Sequence, residues 1–123
     1  MILVDTAVWI DHLRAGNQRL SLLLERGQVV AHPWVIGELA LGNLQRRSEI
    51  LGLLMGLPRA TVATDEEILE LINRQALYGS GIGYVDAQLL TSTRLTEDCR
   101  LWTLEARLSS VAARVGVVAP QIT

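Results

Sequence analysis

The sequence predicts an α/β chain built on a short parallel sheet, and three observations carry that expectation. Short apolar runs alternate along the chain with stretches of helical periodicity, as parallel β-α units require. The first run, Met1 to Val4, passes directly into an amphipathic stretch. The 123 residues, 50% hydrophobic and 20% charged, have the size and composition of one globular domain covering 1–123.

Met1 to Val4 has the profile of a buried strand. Val8, Trp9, Ile10 and Leu13 mark an amphipathic helix that stops near Gly16. Asn17 is placed to cap a second helix through Leu20, Leu23 and Leu24, ended by Gly27. Gln28 to Ala31 forms a second strand. Pro33 suits the first turn of a third helix reaching about Leu44, and Ser48 to Met55 supplies a fourth, closed by Gly56 and Pro58. Thr64 and Glu67 are spaced as a capping box, each side chain serving the other's backbone N–H. The helix behind them carries Ile68, Leu69, Ile72 and Ala76 and ends at Gly79. A glycine-rich turn, Gly79 to Gly83, leads into a helix over Val85 to Ser92. Arg100 to Trp102 is a strand, after which Thr103 is placed to cap a helix bearing Leu104, Leu108, Val111, Ala112 and Val115. Val117 and Val118 close the chain as a last short strand.

Composition removes several function classes. All eleven basic residues are arginine, which excludes Walker-A nucleotide binding, Schiff-base chemistry, lysine phosphate clamps and the receiver-domain fold. Cys99 is the single cysteine, so neither a disulfide within the chain nor a zinc–thiolate cluster can form, as suits a reducing compartment. Phenylalanine is absent, leaving Trp9, Trp34 and Trp102 as the large residues of an aliphatic core. The N-terminus lacks a basic leader and meets Asp5 at once, and no uncharged apolar stretch is long enough to span a membrane. The expectation is a soluble cytoplasmic protein.

The acids carry the functional information. From Gly27 to Gln45 the only formal charge is Glu38, and from Gln75 to Thr93 the only one is Asp86. Asp5 is the only charge among the first ten residues, at the C-terminal end of a strand, and Glu105 follows the apolar Leu101-Trp102-Thr103-Leu104. Each acid alone has a structural explanation: Asp5 as a helix cap, and Glu38, Asp86 and Glu105 as first-turn acids complementing helix dipoles. Their joint placement asks for more. An unpaired buried carboxylate costs several kcal/mol or neutralises, whereas several converging on a cation are tolerated. Ligands of open parallel sheets bind beyond the carboxyl ends of the strands, where these acids are expected. An oxygen-only donor set favours Mg²⁺ or Mn²⁺, the usual equipment of phosphodiester hydrolysis.

Four segments then resemble the ordered acidic motifs of PIN domains: Val4-Asp5-Thr6-Ala7-Val8-Trp9-Ile10-Asp11-His12-Leu13, Ile36-Gly37-Glu38-Leu39, Gly83-Tyr84-Val85-Asp86-Ala87 and Leu101-Trp102-Thr103-Leu104-Glu105. Within that fold the chain is most similar to VapC-type toxin ribonucleases of bacterial type II toxin–antitoxin pairs, over essentially its whole length. The resemblance implies a three-layer α/β/α sandwich, Mg²⁺-dependent endonucleolytic cleavage of RNA by metal-activated water with Mn²⁺ able to substitute, a homodimer, and inhibition by a cognate antitoxin laid across the active site. It assigns Asp5, Glu38 and Asp86 to the acidic triad and Glu105 to the fourth acid. Asp5 and Asp86 would ligate the metal, Glu38 and Glu105 directly or through water, with Thr6 and Thr103 as supporting hydroxyls. Two departures stand out: Glu105 where the family most often has aspartate, and Ala7 in place of a serine.

An acidic chain can still meet RNA. The net charge is −2, of which the four site acids supply −4, so the rest of the chain carries +2. Arg46 with Arg47, and Arg14 with Arg19, follow helices that begin near the site and are candidates for phosphate contacts, with solvated surface arginines as the alternative. His32 ends a strand and either lines the cleft or is satisfied by the backbone, and His12 is expected at the surface. Leu44 to Leu57 offers apolar surface for the antitoxin or a second protomer. Two other functions compete with the nuclease. A haloacid-dehalogenase-type phosphatase wants aspartate where Ala7 stands, and a PIN-like module that binds RNA or protein with weak or no catalysis would be consistent with Glu105.

Overall fold

The computed structural model describes residues 1–120. Three parallel strands, β1 (Ile2–Val4), β2 (Val29–Val30) and β3 (Arg100–Trp102), pair in the order β2-β1-β3. Ile2 is in register with Val29 on one side and Arg100 on the other, and Val4 with Trp102. Isolated parallel bridges, Ala31–Arg59 and Leu101–Val118, widen the sheet by one backbone at each edge. The central strand is apolar throughout because both its faces are covered, and Leu3 and Val4 are fully buried.

The helices are α1 (Thr6–Ala15), α2 (Gln18–Glu25), α3 (Pro33–Leu41), α4 (Arg47–Met55), α5 (Asp65–Arg74), α6 (Tyr84–Leu95) and α7 (Ala106–Arg114). α3 packs against α1 and α4, α5 against α6, and α6 and α7 lie on β3, which gives an α/β/α sandwich. Among the described residues no helix is long and apolar enough to cross a membrane.

Most ends follow the expected chemistry. Asn17 accepts from the Leu20 N–H at 3.0 Å, and Thr64 and Glu67 close their capping box. Other boundaries move for identifiable reasons. α3 stops at Leu41, which is 91% exposed, and Arg46 then adopts a left-handed conformation (φ 51°) that sets the start of α4. α5 ends before Gly79, because Ala76 takes the left-handed position and the Leu77 N–H bonds back to the Ile72 carbonyl, burying Leu77. Thr103 does not cap α7; Glu105 is the N-cap residue. Val117 and Val118 contribute a single bridge rather than a strand. Of the three tryptophans only Trp9 belongs to the core; Trp34 is exposed and Trp102 lies half-buried beneath Arg19.

Candidate functional site

Asp5 follows β1 directly and is fixed from three sides. Its backbone N–H bonds to the Trp102 carbonyl at 2.9 Å, tying it to β3. Its Oδ1 accepts from the Thr6 N–H at 2.7 Å, and its Oδ2 from the Thr103 hydroxyl, also at 2.7 Å. Asp5 is therefore both the N-cap of α1 and a buried carboxylate, 7% exposed, at the carboxyl edge of the sheet. The Thr103 hydroxyl in turn accepts from the Glu105 N–H at 3.1 Å, so a single side chain ties Asp5 to the start of α7.

Asp86 stands in the first turn of α6, where its Oδ2 accepts from the Gly83 N–H at 3.2 Å. Asp5, Asp86 and Glu105 each bring a carboxylate oxygen into one group, all within 4.8 Å of one another. Glu38 lies in the second turn of α3 rather than the first, near enough for the charges of Asp5 and Asp86 both to act on it. The four predicted acids thus share one corner of the molecule, three clustered and Glu38 beside them.

The electrostatics show the cost of this convergence. Burial raises the Glu38 carboxyl above its ordinary pKa, Asp5 and Asp86 raise it further, and only the nearby Thr6 hydroxyl opposes them. Asp86 is raised by burial and by Asp5 against the Gly83 hydrogen bond. Glu105 is raised chiefly by the charge of Asp86, then by burial, Asp5 and Glu38. Among the described residues the ion pairs are Arg46–Glu49 and Arg74–Glu70, and neither reaches the site.

This donor set fits a divalent cation. It is all carboxylate, no side-chain cation among the described residues pairs with it, and its spacing is comparable to the ~4.2 Å across an octahedral Mg²⁺ shell. The Thr6 hydroxyl oxygen is buried beside Asp5 and, apart from its interaction with Glu38, has no hydrogen-bond partner among the described residues.

Sequence reasoning left open a network that aligns two of the acid-bearing helices. His32 is fully buried between β2 and α3. Its Nδ1 caps α3 by accepting from the Trp34 N–H at 3.0 Å. That fixes the proton on Nε2, which lies 3.2 Å from Gln88 Oε1 and 3.0 Å from Ser92 Oγ on α6. Gln88 also binds both backbone groups of Ala63. The signal available in the sequence was a histidine beside the Pro33 helix start and two polar residues, Gln88 and Ser92, one turn apart and so on one face of α6. The other histidine, His12, is half-buried and accepts from the Asn17 N–H at 3.0 Å.

A parallel sheet with helices on both faces, and acids following β1 and β3 and standing on α3 and α6, is the arrangement that the resemblance to PIN domains implies. The chain is 49% identical over 117 residues to the protein named Ribonuclease VapC32 in Mycobacterium tuberculosis strain CDC 1551 / Oshkosh, covering 95% of this chain and 94% of the relative. The same values hold for Ribonuclease VapC32 of strain ATCC 25618 / H37Rv. No family model matches the chain. At that identity and coverage, the chain belongs to the VapC family of PIN-domain ribonucleases.

Proposed function

We propose that this chain is the toxin of a type II toxin–antitoxin pair, an endoribonuclease that hydrolyses RNA phosphodiester bonds with Mg²⁺, for which Mn²⁺ substitutes. The observation that carries the reading is the uncompensated group of Asp5, Asp86 and Glu105 in a chain so similar to Ribonuclease VapC32. When bound, the metal neutralises the acids, polarises a phosphoryl oxygen and lowers the pKa of a coordinated water. Asp5, Asp86 and Glu105 are the residues to hold it. Thr6 and Thr103 keep Asp5 in one orientation, and the Gly83 N–H does the same for Asp86. In this reading Glu38, beside the group, takes the proton as water oxygen bonds to phosphorus and the ribose oxygen leaves. The leaving oxygen regains its proton from solvent.

The binding-module alternative rested on Glu105; the convergence of that carboxylate with Asp5 and Asp86 supports the nuclease reading over it. A cognate antitoxin and a second protomer are the partners this reading implies. The exposed Leu41, Leu53 and Met55 around α4 are available for either. The site acts in the cytoplasm, where its RNA is. The test is cleavage of an RNA mixture in Mg²⁺, in Mn²⁺ and in EDTA, beside Asp86→Asn prepared identically. Cleavage that needs the metal and falls by at least about 100-fold in the variant supports the reading. Equal cleavage by the variant would sink it.

A further inference from the structure

A groove of about 460 Å³ runs between α1, α3 and the segment joining α3 to α4. Glu38 lines it and also feels the charges of Asp5 and Asp86, so the groove adjoins the acid site. Ile10, Leu13 and Leu39 supply apolar lining, while Arg14 and Arg46 bring positive charge to its wall.

The arginines near the site divide into two kinds. Arg19 stacks on Trp102, 4.4 Å from the ring centroid, and donates to the Pro120 carbonyl. Arg47 donates to the Ala40 carbonyl at 2.8 Å. Both guanidiniums serve the fold. Arg14 is exposed and, among the described residues, has neither an ion pair nor a hydrogen bond from its guanidinium. Arg46 has only Glu49, 4.0 Å away, and its side chain is 78% exposed. Arg46 also holds a left-handed backbone that asparagine or glycine would adopt at lower cost. Two guanidiniums left free along a groove that shares Glu38 with the acid site have the chemistry to hold phosphates, each offering five N–H donors in a planar fork.

We propose that this groove seats the RNA strand as it leaves the acid site, with Arg14 and Arg46 each holding a backbone phosphate. The proposal rests on the ribonuclease reading and adds the path of the substrate. Apolar lining beside the phosphate contacts suits unstacked bases and ribose, so the occupant is single-stranded.

The test measures binding of a fluorescein-labelled single-stranded RNA to Asp86→Asn protein in Mg²⁺ across a salt series. Removing one phosphate contact from a single strand lowers the slope of log K against log salt by ~0.7. Arg14→Gln and Arg46→Gln are each expected to show that change, and the double variant about twice it. Arg46→Asn, which suits the left-handed backbone, should match Arg46→Gln and so separates lost charge from altered structure. Arg94→Gln, beside a different hollow between α5 and α6, should keep the parent slope. An unchanged slope in the double variant, in a protein whose parent binds and cleaves RNA, overturns the groove assignment alone. Weakened antitoxin binding with an unchanged RNA slope gives the groove to the protein partner and overturns it too. A parent chain that neither binds nor cleaves RNA overturns the ribonuclease reading with it.

Discussion

Replacing Asp86 with asparagine should make the metal-free protein more stable while abolishing its catalysis. Carboxylate oxygens of Asp5, Asp86 and Glu105 lie within 4.8 Å of one another. Two unit charges at that distance repel by ~3.5 kcal/mol at an effective dielectric of ~20 and ~0.9 kcal/mol in water. The Asp5 pair belongs nearer the first figure because Asp5 is buried, and the Glu105 pair nearer the second because Glu105 is exposed. Salt screening, rotation of Glu105 and a weakened bond from the Gly83 N–H offset roughly half, leaving a gain of about 2 kcal/mol. For a domain of this size that is a Tm increase of roughly 5–10 °C. The pH dependence follows from the raised carboxyls of Glu38, Asp86 and Glu105. Their folded-state pKa values lie above the unfolded ones, so the folded form binds protons more tightly; stability is full below the ordinary carboxylate range and is lost as pH rises through the raised values. The variant's advantage should be small near pH 4 and complete at pH 7. Saturating Mg²⁺ should then reverse the order, because a ligand at 100 times its Kd adds ~2.7 kcal/mol to the parent and less to the variant. Thermal melts of both proteins in EDTA and in Mg²⁺, at pH 4.5 and 7.5, measure all of this. A variant that melts at or below the parent in EDTA at pH 7.5 would refute the mutual repulsion on which the site rests.

Two further substitutions probe the scaffold of the site. His32→Ala removes the α3 cap and leaves Gln88 and Ser92 short of a partner, so urea denaturation should show a loss of ~2–4 kcal/mol, and His32→Asn, which keeps a capping oxygen, a smaller one. Burial lowers the His32 pKa, so its contribution is full above the ordinary histidine value and declines as pH falls below it; His32→Asn should flatten that slope in the parent's stability profile between pH 7 and 5. Thr103→Val breaks the bonds to Asp5 and from Glu105 together; it should cost ~1–2 kcal/mol by the same assay and lower RNA cleavage, with Thr103→Ser restoring both.

The sheet and its helices were legible because hydrophobic spacing and capping chemistry are local. Asn17, Pro33 and the Thr64–Glu67 pair start helices where such residues must. Helix ends were less legible wherever burial rather than glycine chose them: Ala76 takes a left-handed turn because Leu77 is drawn into the core, and nothing at Ala76 itself announces it. The acids were legible as single charges in long apolar stretches, since a carboxylate kept in such surroundings opposes folding and needs a reason. The division among the arginines was not legible, because whether Arg19 stacks on Trp102 or reaches a ligand depends on residues more than eighty positions apart. Trp34 was misplaced for a related reason: tryptophan's size favours burial, yet Trp34 sits in the first turn of α3 beside Tyr84, at the surface.

Glu105 shows how an apparent departure can serve the site. An aspartate at a helix N-cap has a side chain short enough to accept from the helix's own free N–H groups, and that capping competes with any outward role. Glutamate at the same position makes no side-chain capping bond here, and its longer arm leaves the carboxylate beside Asp5 and Asp86. The Glu105 N–H is served by the Thr103 hydroxyl, which at the same time orients Asp5. The extra methylene therefore separates two duties that a shorter residue would combine. Its cost is conformational freedom, because an exposed glutamate must be ordered when a cation binds. Glu105→Asp should accordingly hold the cluster less repulsively in the metal-free protein, since part of the carboxylate's time passes to the helix N-terminus, without removing the charge on which the proposed cation binding would depend.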